Sequence, residues 1–279
     1  MNRWRRTVTP SAIGKHAVLL GYTTIALFPI VLVVMNSFKA RNAIFSDPVL
    51  PPTTSTFSTI GYDTIGKRGE FPTWLGNSVI VTGATLLLVV VLGAMAAFAL
   101  SRYRFRGSRL LGLYLAVGIM IPIRLGTVSI LSLIVGLGLG NSLLALILVY
   151  TAAGLPLAVF VLSNFFREVP RELEDAARVD GAGHFRIFAM VAQLARPAIA
   201  AVAILTMIPV WNDLWWPLIL APGRSTATLT LGTQQFLGQF VSDFNAVLAA
   251  LTIAIIPMLV LYVLFNRQFI RGLMGGALK

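Results

Sequence analysis

The side chains able to do chemistry are few in this sequence, and they are not arranged for catalysis. Its two histidines, His16 and His184, stand far apart. There is no His-x-x-x-His pair to hold a metal and no Gly-x-Ser-x-Gly elbow to present a nucleophile. Gly-x-x-x-x-Gly-Lys-Ser/Thr is also missing, so any ATP that is used must be hydrolysed by another chain. Gly136, Gly138 and Gly140 alternate as in a weak phosphate loop, but without the following Lys-Ser/Thr they read as a flexible turn. The lack of cysteine excludes disulfides, iron–sulfur clusters and thiol chemistry. What stands out is charge. Half of the ten acidic residues fall within residues 168–181, EVPRELEDAARVDG, and two lone charges, Arg124 and Asp213, interrupt otherwise apolar runs.

The acidic stretch predicts a short, self-contained helix. Pro170 suits its first position, Glu172, Glu174 and Asp175 favour its positive N-terminal end, and Gly181 is the residue type that ends a helix in a left-handed turn. Leu173, Ala176, Ala177 and Asp180 share one face at i, i+3, i+4 and i+7, while Glu174 and Arg178 can pair at i, i+4 on another. Two adjacent alanines leave the first face flat, so another backbone can come close. That is the form of a docking knuckle for a partner protein, although an ordinary solvated loop helix has the same composition.

Composition places these residues in a membrane protein. With 57% hydrophobic and 11% charged residues and a mean hydropathy of +0.84, the chain has far too much apolar surface for a soluble domain. The net charge of +12 sits in clusters between uncharged runs, the pattern of membrane orientation rather than of nucleic-acid binding. Six spans follow: residues 17–38 with a kink expected at Pro29, 71–101 with small-residue faces at Gly83, Ala84, Gly93, Ala94, Ala96 and Ala97, 110 onward with a break near Pro122, 142–166 interrupted by Gly154 and Pro156, 190–220, and 246–265. Basic clusters at both ends and at Arg102, Arg104, Arg106 and Arg109 put both termini in the cytosol. Residues 39–70 read as an irregular external loop. The chain divides into a cytosolic segment 1–16, a first helix with its external loop 17–70, a core of five spans 71–265 with a cytosolic loop 167–189, and a cytosolic tail 266–279. Residues 167–186 carry four basic and five acidic residues against eleven basic and no acidic ones in the other cytosolic segments. A loop built only to fix orientation or touch anionic lipid would be basic like the rest, so a protein partner explains it better.

End to end, the chain resembles the membrane subunits of binding-protein-dependent ABC importers, in the carbohydrate class typified by the second maltose-transporter permease. Asp175, Ala176, Ala177 and Gly181 fill the first part of the family's cytosolic motif, E-A-A, three residues, G, nine residues, I-x-L-P. Asp175 replaces the glutamate beside Glu174, and Val191-Ala192-Gln193-Leu194 lacks the proline, which predicts a straighter entry into the fifth span. Trp74-Leu75-Gly76-Asn77-Ser78, Ser101-Arg102-Tyr103, Trp211-Asn212-Asp213-Leu214-Trp215-Trp216-Pro217 and the tail Arg267-Gln268-Phe269-Ile270-Arg271-Gly272 to Lys279 look like the same class.

The resemblance implies an all-α permease in the cell membrane, not itself an enzyme, that pairs with a second permease and two cytosolic ATPase subunits. It binds no cofactor, ATP and Mg belonging to the ATPases, and its external loops face an extracytoplasmic sugar-binding protein. Glu172, Glu174, Asp175, Ala176, Ala177, Asp180 and Gly181 would form the coupling helix. Trp211, Asn212, Trp215 and Trp216 are candidates for a carbohydrate path, because aromatic rings stack on sugar faces and an amide bonds hydroxyls; tryptophans near a span end also fit an interfacial belt. Counting about 1.5 Å per helical residue, Arg124 lies roughly 22 Å beyond Arg109 and Asp213 roughly 26 Å beyond Arg196. At similar depth and opposite sign they are candidates to pair as an outer gate or to line one polar cavity, whereas a snorkelling arginine needs no partner. A membrane-embedded enzyme or scaffold acting without an ATPase is the reading from another class.

Overall fold

A computed structural model of the chain describes residues 10–67, 70–237 and 243–275. Arg3, Arg5 and Arg6 of the N-terminal segment and residues 276–279 of the tail lie outside these. In chain order the elements are α1 (Pro10–Ser37), α2 (Arg41–Ser46), α3 (Ile60–Lys67), α4 (Phe71–Arg102), α5 (Ser108–Met120), a 3-10 turn (Ile123–Gly126), α6 (Thr127–Gly136), α7 (Leu143–Glu168), α8 (Arg171–Val179), α9 (His184–Leu194), α10 (Arg196–Asn212), α11 (Trp215–Leu220), α12 (Leu229–Gln234) and α13 (Phe244–Gly275). Among the described residues there is no strand beyond one isolated bridge, Lys39 to Phe57.

Among the described residues three helices are long and apolar enough to cross a membrane: α1 from Gly14, α4 and α7. Two bent pairs can each add a span, α5 to α6 through the 3-10 turn at 89° and α9 to α10 at 75°, and Phe244–Val260 is a shorter apolar helix. The first break has the cause expected from the sequence: Ile121, the residue before Pro122, adopts an extended conformation instead of continuing the helix. The second overturns an expectation. The entry into the fifth span is not straight, because Pro197 in the first turn of α10 has no N–H to give and its ring excludes the preceding carbonyl, so the chain restarts its helix at Arg196. By contrast α1 and α7 run on as helices through Pro29 and Pro156.

The chain forms two compact units. In the first, residues up to 68 join residues 233–255. The segment read as an irregular loop carries α2 and α3 and is firmly held: Lys39, fully buried, donates to the Asp47 carbonyl at 2.7 Å, and Asn245 donates to the Lys39 carbonyl at 2.7 Å. Gly61 of α3 lies against the Asn245 backbone so closely that a Cβ would overlap it.

The second unit is built on α4 packed along α7. Small residues make this possible: a Cβ on Gly93 would stand 2.8 Å from the Ala158 methyl, and one on Gly154 would stand 2.9 Å from Val89. Phe98, Leu162, Phe166, Val191 and Val202 then close a core between α4, α7, α9 and α10. At the start of α4, Trp74 is fully buried and donates to the Arg224 carbonyl at 3.3 Å. Asn77 donates to the carbonyls of Ser225 and Ala227 at 2.9 Å, and Ser78 accepts from Leu229 N–H. The Trp-Leu-Gly-Asn-Ser motif thus holds the loop before α12.

Candidate functional site

α8 ends where Gly181 allows it. At φ +78° Gly181 donates to the Arg178 carbonyl and Ala182 to the Ala177 carbonyl, the paired bonds that close a helix through a left-handed residue. Pro170 precedes the helix as its N-cap and does not open it.

The buried acid of α8 is Glu174. Its carboxylate lies 2.6 Å from Arg102 Nε, with both side chains 4% exposed. The contact is ionic and is not aligned as a hydrogen bond. Through Nη2, Arg102 donates to the Val169 carbonyl just beyond the end of α7, at 2.8 Å. Arg178 approaches the other Glu174 oxygen at 3.6 Å and holds Asp175 at 2.6 Å. Glu174 therefore points inward, and the expected i, i+4 partner Arg178 is the more distant of its two arginines.

The flat face behaves differently. Leu173 is 45% exposed, Ala176 and Asp180 are exposed, and Ala177 is half-buried against the core under α8; beside that face Val179 is 88% exposed, and Glu172 and Asp175 are exposed too. In this chain taken alone, most of that face has nothing covering it. Just beyond Arg102, the Tyr103 hydroxyl lies 3.1 Å from His184 Nδ1 at the start of α9.

A second polar cluster lies toward the other end of α7, where the chain breaks between α10 and α11. Asp213 collects four donors: Arg124 Nη2 at 3.1 Å, the Tyr150 hydroxyl at 2.9 Å, and the backbone N–H groups of Trp215 and Trp216 at 3.3 and 3.1 Å. The carboxylate thereby satisfies the open N-terminus of α11. Arg124 stacks over the Trp215 ring at 5.9 Å, and the Trp215 indole donates to Thr127 Oγ1. The structure thus brings Arg124, Asp213 and Trp215 together. Asn212 is exposed and donates to its own helix at Ile208. Trp211 and Trp216 are buried, so neither ring offers an open stacking platform.

Sequence reasoning missed Tyr150, Thr127 and the Arg102 contact to Glu174. A tyrosine in an otherwise charge-free span was the available signal for the first. Nothing local marks the other two, since their partners are 88 and 72 positions away in the chain.

Residues 89–274 match the family described as binding-protein-dependent transport system inner membrane component. The chain belongs to this family. It is accordingly a multi-pass membrane subunit of a transport system and not an enzyme. The chain is 34% identical to the diacetylchitobiose uptake system permease protein NgcG of Streptomyces coelicolor, over 95% of this chain and 88% of that protein. It is 36% identical to the trehalose transport system permease protein SugB of Mycobacterium tuberculosis, over 94% of each. The fold also matches a solved bacterial ABC transporter involved in import of the acidic polysaccharide alginate, with a TM-score of 0.80 and 21% identity, over 96% of this chain and all of that one. This chain's described residues have the helical architecture that the sequence predicts.

Proposed function

We propose that the chain is one of two permease subunits of an ATP-driven importer for a carbohydrate of the oligosaccharide class. It spans the membrane six times with both termini in the cytosol, residues 71–265 being the permease core. The substrate class is supported by the names of its relatives, which include uptake systems for diacetylchitobiose and trehalose. The observation that carries the coupling role is α8, which leaves Leu173, Ala176 and Val179 uncovered while Glu174 fixes its opposite side. A nine-residue helix with an apolar, small-residue surface, held from beneath, is what an ATPase groove needs. ATP and Mg are then handled by two cytosolic ATPase subunits, and the external loops meet a sugar-binding protein. Arg124, Asn212 and Trp215 are exposed at the second cluster and line the carbohydrate path there, with Asp213 holding Arg124 and the Trp215 backbone in place.

The test is reconstitution with the second permease, the ATPase and the binding protein in liposomes. Oligosaccharide uptake that requires ATP, with hydrolysis stimulated by the loaded binding protein, is expected. Uptake that proceeds without ATPase subunits, or an ATPase that does not co-purify with the two permeases, would overturn this function.

A further inference from the structure

We propose that Arg102 is a positioning residue for energy coupling: its buried pair with Glu174 fixes α8 to the end of α4, so that the two move as one body. This rests on the reading of α8 as the helix on which the ATPase docks.

The backbone joins α8 only to α7 and α9, and Gly181 and Gly183 follow it closely. Such a short helix can swivel about its ends unless something holds its side. The guanidinium of Arg102 does so at a junction of three elements. It stands on the last residue of α4, donates to Val169 just past α7, and meets Glu174 of α8. Arginine suits this place because its planar fork presents several donors at once and stays charged when buried. Tyr103, the next residue, reaches His184 across the Gly181 turn, so consecutive side chains grip the loop on both sides of α8. Burial separates Glu174 from its neighbours in role. Glu172 and Asp175 are exposed, Asp175 paired with Arg178 at the surface, whereas Glu174 is 3% exposed in the chain alone. Glu174 therefore leaves the group of residues that touch the ATPase and becomes the anchor for those that do. A displacement of α8 passes through it to α4, and from α4 to α7 along the close contacts at Gly93 and Gly154.

The test uses the reconstituted complex with Arg102→Gln, Glu174→Gln, Arg102→Lys and the double variant Arg102→Gln/Glu174→Gln. ATPase co-purification should stay at the wild-type level in all four. ATP consumed per sugar transported should rise roughly fivefold or more in the glutamine variants and less in Arg102→Lys, which keeps the charge but loses the fork. The double variant should be no worse than the worse single, because the pair acts as a unit. Where a single variant leaves one buried charge and fails to accumulate, the double variant, which buries neither, decides by the same ratio. A wild-type ratio in the variants overturns the proposal, as do additive losses in the double. Glu174→Gln that reaches the membrane but loses the ATPase also overturns it, because Glu174 would then be a docking residue. If the wild-type complex itself shows no ATPase association, the coupling function fails first, and this proposal with it.

Discussion

Arg124 and Asp213 meet at 3.1 Å across 89 positions of sequence, and they meet unequally. The arginine side chain is 64% exposed and the aspartate 8%. An ion pair with one partner largely in solvent contributes little, about 0–1 kcal/mol. A buried carboxylate with four donors is another matter, since its loss leaves the Tyr150 hydroxyl and two backbone N–H groups without their acceptor, at about 1–3 kcal/mol for each group that stays buried and unsatisfied.

Asp213→Ala should therefore abolish most uptake and lower the melting temperature of the purified complex, while Arg124→Ala should reduce uptake partially and leave the melting temperature near wild type. The charge swap Arg124→Asp with Asp213→Arg should not recover function, because a guanidinium at 213 cannot accept from the Trp215 and Trp216 N–H groups at the α11 N-terminus. Equal losses in the two alanine variants, or recovery by the swap, would show that the pair outweighs the other contacts of Asp213.

Gly232 lies so close to the Trp74 ring that an added Cβ would overlap it. Gly232→Ala should force the ring or α12 aside, with an overpacking cost of about 1–3 kcal/mol. Thermal unfolding of the detergent-solubilised complex measures this, and an unchanged melting temperature would mean that α12 yields freely.

At Gly181 the space is open, and only the backbone conformation constrains the residue. Gly181→Asn should retain coupled transport, since asparagine tolerates positive φ, whereas Gly181→Val should uncouple it at a strain of roughly 1–2 kcal/mol. The ratio of ATP hydrolysed to sugar transported distinguishes the two, and identical behaviour would remove the left-handed turn from the account.

For topology, reporter fusions within residues 50–65 and after Lys279 should locate on opposite sides of the membrane. Finding both on one side would contradict the six-span arrangement.

The sequence showed its helices wherever local chemistry dictated them. Charge-free runs marked α4 and α7 to within two residues and the end of α1 to within one, although α1 begins at Pro10, seven residues before the run; Pro122 marked the first break, and Gly181 marked the end of α8. What it did not show depends on contacts distant in sequence. The inward turn of Glu174 follows from Arg102, which the helical wheel of α8 does not contain. The missing proline near 194 predicts a straight entry into α10, but Pro197 just beyond bends the chain there. Counting along α5 and α10 sets Arg124 and Asp213 at similar depth, but that count does not show which way either side chain points. The two still meet because each stands beside a chain break, where a side chain can reach across between helices.

The most direct test of the coupling account uses the absence of cysteine in this chain. Ala176→Cys places a single thiol on the exposed face of α8, where a short photo-crosslinker can be attached in the assembled, membrane-embedded complex. Irradiation should yield a covalent product between this subunit and the ATPase, and Ala176→Trp should eliminate sugar-stimulated hydrolysis while the subunit remains in the membrane. A thiol at 176 that crosslinks to nothing, together with wild-type hydrolysis in Ala176→Trp, would contradict the docking of α8 on the ATPase.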